Sequence, residues 1–304
     1  MPLVTSKGML QAAIDGRYAV GAFNANNMEQ IQGIVDAAEA EKAPVILQVS
    51  QGAIRYAGLG FAAAMVKIAA EEATVPVVLH LDHGTDFDQN VRCLRAGFTS
   101  LMFDGSKKPY EENVATTARV AGIAHVVGIP VEAELGRVLT LGATPEEVQA
   151  AMTDPDQALD FVTRTTCDSL ACALGSVHAM KEAKAELDID RLKAIRAAVD
   201  IPVVLHGSSG VTEESELAAI PYGIAKINVA TLLNQKFTEG LLKAQKELPT
   251  NVDPRKWLNH SRDAVCEVVR HKIRLFGGSG KVTASGYVSA SSSYRSVELG
   301  GAEA

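Results

Sequence analysis

The chain reads as an α/β protein built as a (β/α)8 barrel, the TIM-barrel architecture, with extra C-terminal helices. Three observations predict it. Eight short runs rich in Val, Ile and Leu recur along the chain, and each is followed by a longer stretch of helical character. The runs are nearly continuously apolar, which marks strands that are parallel and buried on both faces. Polar residues gather at the C-terminal end of nearly every run, where a barrel collects its functional groups. Eight such units in about 250 residues is barrel arithmetic. A doubly wound open sheet would call for a G-x-G-x-x-G turn after the first strand, and "NANNMEQ" is not one.

The expected strands follow in order. They are "VGAFNAN" (20–26), "APVILQVS" (43–50), "VPVVLHLDH" (75–83), "TSLMFDGS" (99–106), "IPVEAELG" (129–136), "DSLACALGS" (168–176), "IPVVLHGSS" (201–209) and "GIAKINVAT" (223–231). Helical stretches such as 28–42 and 110–128 lie between them. Beyond 231 the sequence predicts helices over 232–248 and 258–276, joined by a turn at "NVDPRKW" (251–257). Residues 1–278 are expected to form one barrel with its helical extension. Residues 279–304 are Gly/Ser-rich, poor in bulky apolar groups, and expected to be a flexible tail.

Composition bounds the function. Of 304 residues, 47% are hydrophobic, enough for a sizeable core, and the net charge is −7. No block of Lys and Arg marks a nucleic-acid footprint. No run reaches the length of a membrane span, and "MPLVTSKGML" lacks a signal-peptide pattern. Cys93, Cys167, Cys172 and Cys266 show no C-x-x-C spacing, the usage of free thiols in a reducing cytoplasm.

The chemistry concentrates at strand ends. Asn24 and Ser50 end the first two strands, Asp82 and His83 the third, and Asp104 the fourth. Glu132 and Glu134 sit near the end of the fifth, and His178 follows the sixth. His206 ends the seventh, and Asn228 and Thr231 the eighth. In a barrel His83, His178 and His206 would surround one mouth, and three imidazoles with an open position suit catalytic Zn2+. Each histidine alone reads more readily as a hydrogen-bonded structural residue, and it is the three together, at like positions on three strands, that point to a metal. Strict alternation sends Asp82 and His83 to opposite faces, so both enter the mouth only if the strand stops or bulges between them. Asp82 suits a general acid/base, or a carboxylate that orients a histidine ligand. Asp104 and Glu134 could hold a second cation or accept hydrogen bonds. "LHGSSG" (205–210) and "NVAT" (228–231) offer free backbone N–H groups where barrels bind phosphate. Lys226, inside a strand, is a rival nucleophile for Schiff-base chemistry.

Together "GAFNANN", "HLDHGTDF", "VEAELG", "LHGSSG", "AKINVAT" and "DPRKW…EVVRHKIRLFG" resemble the class II, metal-dependent fructose-bisphosphate/tagatose-bisphosphate aldolases over roughly 3–280. The resemblance implies a barrel, a homodimer or homotetramer, and reversible cleavage of a ketose bisphosphate to dihydroxyacetone phosphate and an aldehyde. It implies catalytic Zn2+ on His83, His178 and His206, with a second divalent or monovalent cation near Asp104 and Glu134. Asp82 would exchange a proton with the C4 hydroxyl. Ala179, Gly207, Ser208, Ser209, Asn228, Val229, Ala230 and Thr231 match the loops on dihydroxyacetone phosphate. Asn24 and Ser50 match residues lining the sugar. Arg255 matches an arginine that reaches the far phosphate from a neighbouring subunit, which requires at least a dimer. With a metal to polarise the ketone, no covalent lysine is needed.

Two segments depart from the family pattern. Ala179 stands where the family has a glycine, and Glu182 where it has a phosphate lysine, with Lys181 and Lys184 nearby. In 137–155 the usual paired glycines are missing, and Glu146 and Glu147 are the candidates for the glutamate that moves the second proton. The expected substrate is fructose 1,6-bisphosphate. The alternatives are tagatose 1,6-bisphosphate, another ketose phosphate, or a non-catalytic paralogue that binds metal and sugar phosphate.

Overall fold

The computed structural model describes residues 3–140, 142–178 and 183–282, and of His178 the backbone alone. Among the described residues ten strands follow in chain order: β1 (Val20–Asn24), β2 (Val45–Ser50), β3 (Val77–Asp82), β4 (Leu101–Phe103), β5 (Val131–Leu135), β6 (Leu139–Thr140), β7 (Ser169–Cys172), β8 (Val177–His178), β9 (Val203–Leu205) and β10 (Ile224–Val229). Eight form one parallel sheet in the order β3-β2-β1-β10-β9-β7-β5-β4. These are the eight sequence-predicted runs, each trimmed at its ends. Four of them are preceded by Pro44, Pro76, Pro130 or Pro202. Proline has no N–H to give the ladder and so suits a strand's first edge. Its carbonyl still accepts, as Pro130 does from Leu101 N at 3.1 Å and Pro202 from Leu170 N at 3.0 Å.

The two ends of the sheet meet. His80 bridges Ser100 and Gly84 bridges Phe103 in parallel. Leu81 N donates to Ser100 O at 3.1 Å and Asp104 N to Gly84 O at 2.9 Å. Those contacts between β3 and β4 close the barrel. The remaining strands, β6 and β8, pair with each other over the mouth loops.

Burial follows the two faces of each strand. Outward residues such as Val45, Leu47, Val77, Leu79, Val203 and Ile227 pack against the helices in the main core. Inward residues fill the barrel in layers. At the bottom, Met9, Leu10 and Ala13 of the helix Ser6–Asp15 plug the opening against Val20, Ala22, Ile46, Val78 and Ala225. Above the plug the interior turns polar, with Gln48, His80, Glu132 and Lys226 all buried. The register of β10 against β9 shifts between Ile224 and Lys226.

The helices Thr231–Glu247 and Pro254–Leu275 form the C-terminal extension, and Pro254–Leu275 packs between Thr231–Glu247 and Met28–Glu41. Gly33 makes that approach possible, because a Cβ there would lie 2.7 Å from Arg262 O. Of the expected tail, Gly280 N donates to Glu41 O and Val282 N to Lys42 O. Residues 283–304 lie outside the described residues. Among those described, no single helix is long and apolar enough to cross a membrane.

Candidate active site

Asp82 and His83 reach the same mouth. β3 stops at Asp82, and His83 takes the left-handed backbone region with φ 51°. That turn reverses the alternation that would have sent His83 outward. A non-glycine residue there costs about 1–3 kcal/mol, strain of a kind found at functional sites. Gln51 helps hold the turn by donating from its side-chain amide to His83 O.

Around this pair the strand ends converge. His83 Nε2 lies 3.8 Å from Asp82 Oδ1, and His83 Nδ1 lies 2.8 Å from Asp104 Oδ2 and 3.6 Å from Glu134 Oε2. His206 Nδ1 lies 3.0 Å from His83 Nε2, with the rings edge-on at 89°. Two imidazole nitrogens aimed at each other, with carboxylates on both sides, make a donor set for a cation. Asp82, His83 and His206 each offer a ligand atom within one such group, and His83, Asp104 and Glu134 within a second. Glu134 Oε2 is buried with no hydrogen-bond partner among the described residues. An orphaned carboxylate oxygen of this kind fits an ion.

A buried polar layer sets the orientations. Gln48 Nε2 donates to Asn24 Oδ1 at 2.9 Å, and Asn24 Nδ2 donates to Asp82 Oδ2 at 2.7 Å. Asn228 Nδ2 reaches Asp82 Oδ1 at 3.3 Å. His206 Nε2 lies 2.9 Å from Glu132 Oε1, while Lys226 Nζ donates to Glu132 Oε2 at 2.8 Å. With Glu132 holding the Nε2–H, the His206 Nδ1 lone pair faces the mouth. Lys226 is 1% exposed and held by this ion pair beneath the mouth. The Schiff-base alternative is therefore set aside.

Charge is tuned by these neighbours. Burial disfavours a charged His83, but Asp82, Asp104 and Glu134 outweigh it and raise its pKa to about 10. Burial would likewise raise Asp82, yet His83, His206 and Lys226 hold it below the ordinary carboxylate range. Glu134 is pushed up to about 7 by burial and by the Asp104 charge. Burial pushes His206 down, with the Glu132 hydrogen bond opposing. These are the directions expected when opposite charges and burial compete.

Two cavities open on either side of His83. The smaller, about 130 Å3, is lined by Asn24, Asp82, Gly207, Ser208, Ser209, Asn228, Ala230 and Thr231. Gly207 has φ 69°, a glycine conformation that lets the loop turn, and Ser208 Oγ donates to Asn228 O. Val229 is not among the lining residues; its side chain is buried in the outer core. The larger cavity, about 510 Å3, is lined by Ser50, Asp104, Glu134 and three cations, Arg55, Lys107 and Arg137. Ser50 Oγ also caps the helix Gln51–Ala57.

Other expected residues stand apart. Arg255 is 86% exposed and pairs with Asp253 at 2.8 Å on the outer helix. Glu147 caps its own helix, Pro145–Ala150, through Thr144, and Glu146 is exposed beside it. His178 belongs to β8 by its backbone, while Ala179, Lys181 and Glu182 lie outside the described residues. Sequence reading named Glu132 without a role and missed Gln48, Gln51, Arg55, Lys107 and Arg137. The signal for the cations was present: Lys107 and Arg137 each fall three residues past a strand-end carboxylate, and Arg55 five past Ser50.

The fold and site define a barrel enzyme whose strand-end imidazoles and carboxylates converge on one mouth. A family model described as "Fructose-bisphosphate aldolase class-II" matches residues 4–281. The chain belongs to the class II fructose-bisphosphate aldolase family, and it is an aldolase, a carbon–carbon lyase. It is 45% identical over 286 residues to the probable fructose-bisphosphate aldolase of Bacillus subtilis (strain 168), covering 92% of this chain and 99% of that one. It is also 45% identical over 288 residues to the fructose-bisphosphate aldolase of Geobacillus stearothermophilus, with the same coverage. Among solved structures, the YdjI aldolase from Escherichia coli K12 superposes with a TM-score of 0.80 at 38% identity, covering 92% of this chain and 99% of that one.

Proposed function

We propose that the protein is a zinc-dependent aldolase that reversibly cleaves fructose 1,6-bisphosphate to dihydroxyacetone phosphate and glyceraldehyde 3-phosphate. The observation that carries this reading is the juxtaposition of Asp82 with His83 and His206, whose facing nitrogens lie 3.0 Å apart. His83, His178 and His206 would hold the ion, and three histidines suit Zn2+. When bound, Zn2+ polarises the ketone and stabilises the negative charge that cleavage leaves on the three-carbon half.

The chain's own residues do the rest. Asp82 takes the C4 hydroxyl proton in cleavage and returns it in condensation. Its two asparagine partners fix its rotamer, and the charges of His83, His206 and Lys226 favour its ionised form. Gly207, Ser208, Ser209, Asn228, Ala230 and Thr231 seat the phosphate of dihydroxyacetone phosphate on N–H and hydroxyl donors, and the family resemblance assigns Ala179 to the same phosphate. Asn24 and Ser50 line the sugar, and Asp104 with Glu134 offers a place for a second cation. Glu132, backed by Lys226, keeps His206 in the tautomer that presents Nδ1.

The test is cleavage of fructose 1,6-bisphosphate with a triose-phosphate readout, before and after EDTA and with Zn2+ restored. Activity lost to EDTA and recovered with Zn2+ supports the reading. Cleavage indifferent to EDTA, with no metal retained, sinks the metal requirement. Faster cleavage of tagatose 1,6-bisphosphate would move the substrate assignment.

A further inference from the structure

We propose that the larger cavity holds a terminal oxyanion of the substrate on Arg55, Lys107 and Arg137 of the same chain. This deepens the aldolase reading and rests on it. The three cations come from the segments after β2, β4 and β5 and line one cavity with Ser50 and His83. None of the three charged groups has an ion pair or hydrogen bond among the described residues. Their neighbours differ: Lys108 pairs with Glu112, and Arg164 with Glu111 and Asp160.

The carboxylates of the same cavity do not answer them. Asp104 Oδ2 faces His83 Nδ1, and Asp104 Oδ1 accepts from Ser106 N and Oγ at 3.0 and 2.7 Å. Glu134 is 2% exposed, on the inner side of the barrel. In a chain of net charge −7, three unanswered cations in one cleft are a standing attraction for an anion. Among the described residues, the smaller cavity across His83 has no Lys or Arg in its lining. A ketose seated between the two would place its first phosphate on neutral donors and its far end on the cations. Arginine grips a phosphate or carboxylate through paired N–H donors. Arg255 lies outside this lining, exposed and paired with Asp253, so the contact proposed here is separate from the one expected of it in a neighbouring subunit.

The experiment is aldol condensation of dihydroxyacetone phosphate with aldehydes paired to differ in terminal charge. D-Glyceraldehyde 3-phosphate is set against D-glyceraldehyde, and succinate semialdehyde against butanal, with kcat/KM read for each. The wild type should prefer at least one charged member by on the order of a hundredfold. Arg55→Met, Lys107→Met and Arg137→Met should each lower that ratio by about tenfold. Because the readout is a ratio, partial misfolding does not move it. Preference in the first pair alone assigns a phosphate, and in the second alone a carboxylate. No preference, or a preference untouched in all three variants and their combination, overturns the proposal. Solvent-deuterium incorporation into dihydroxyacetone phosphate by the wild type tests the aldolase reading separately. Exchange without charge preference removes the anion site and leaves the aldolase; neither exchange nor condensation removes both.

Discussion

Asp82 and His83 are adjacent in sequence, yet both serve the mouth because one backbone angle, φ 51° at His83, cancels a strand's alternation. The two side chains then divide the work by their surroundings. Asp82 is fixed by Asn24 and Asn228 and stays ionised, the state a proton acceptor needs. Asp82→Asn keeps shape and removes basicity, so kcat should fall by about 10²–10⁴ while bound metal, read by atomic absorption, is unchanged. A variant within tenfold of wild type would give the proton transfer to another group. Deeper in the barrel, Lys226 and Glu132 are both almost fully buried and paired at 2.8 Å. Lys226→Met strands the Glu132 carboxylate and should cost about 3–5 kcal/mol in denaturant unfolding. Adding Glu132→Gln should recover part of that loss. These buried partners were the least legible residues in the sequence. A lysine two positions before Asn228 reads equally as a nucleophile or a strut until its ion pair is seen.

Single carboxylates also join whole elements. Glu41 ends the helix Met28–Glu41 and receives Arg270 at 2.9 Å, Arg274 at 2.7 Å and the Ser279 hydroxyl at 2.9 Å. The Arg274 hydrogen bond leads in lowering its pKa from 4.5 to about 2. A depressed folded-state value means the stabilisation is present above the unfolded value and is lost as pH falls towards the folded one. Stability of the wild type should therefore drop between about pH 4.5 and 2, and Glu41→Gln should flatten that limb in a thermal melt series. Glu216 runs the other way. Burial raises it to about 7 although Lys272 lies 2.8 Å away. A raised folded-state value gives stability that is full below about pH 4.5 and declines as pH climbs through 7. Glu216→Gln should remove that decline; a melt series unchanged by the substitution would place the loss elsewhere. The elements themselves were mostly readable. Long apolar runs opened by proline and closed by polar residues mark β2, β3, β5 and β9 without ambiguity. The two-residue strands β6 and β8 left no such trace, because their pairing depends on where two mouth loops meet rather than on a local pattern.

At the scale of the molecule, the barrel was legible because its period repeats eight times, and the mouth because nearly every period ends in a polar residue. What lay beyond reach was the convergence of specific atoms, which closure of the sheet between β3 and β4 brings about. That closure also predicts how metal and fold are coupled. His83 follows β3, His178 ends β8 and His206 follows β9, so one ion would tie together segments that are remote in the chain. The unfolded chain presents these ligands far apart, and an ion that binds only the native state stabilises by mass action, about 2.7 kcal/mol at a hundredfold excess over Kd. For a chain of this size each kcal/mol moves the melting midpoint by roughly 2 °C, so saturating Zn2+ should raise Tm by about 5 °C over EDTA-treated protein. His83→Ala and His206→Ala should abolish the rise. Arg55→Met, whose side chain lies across the cavity, should keep it. A rise that survives in both histidine variants would place the zinc somewhere other than the barrel mouth.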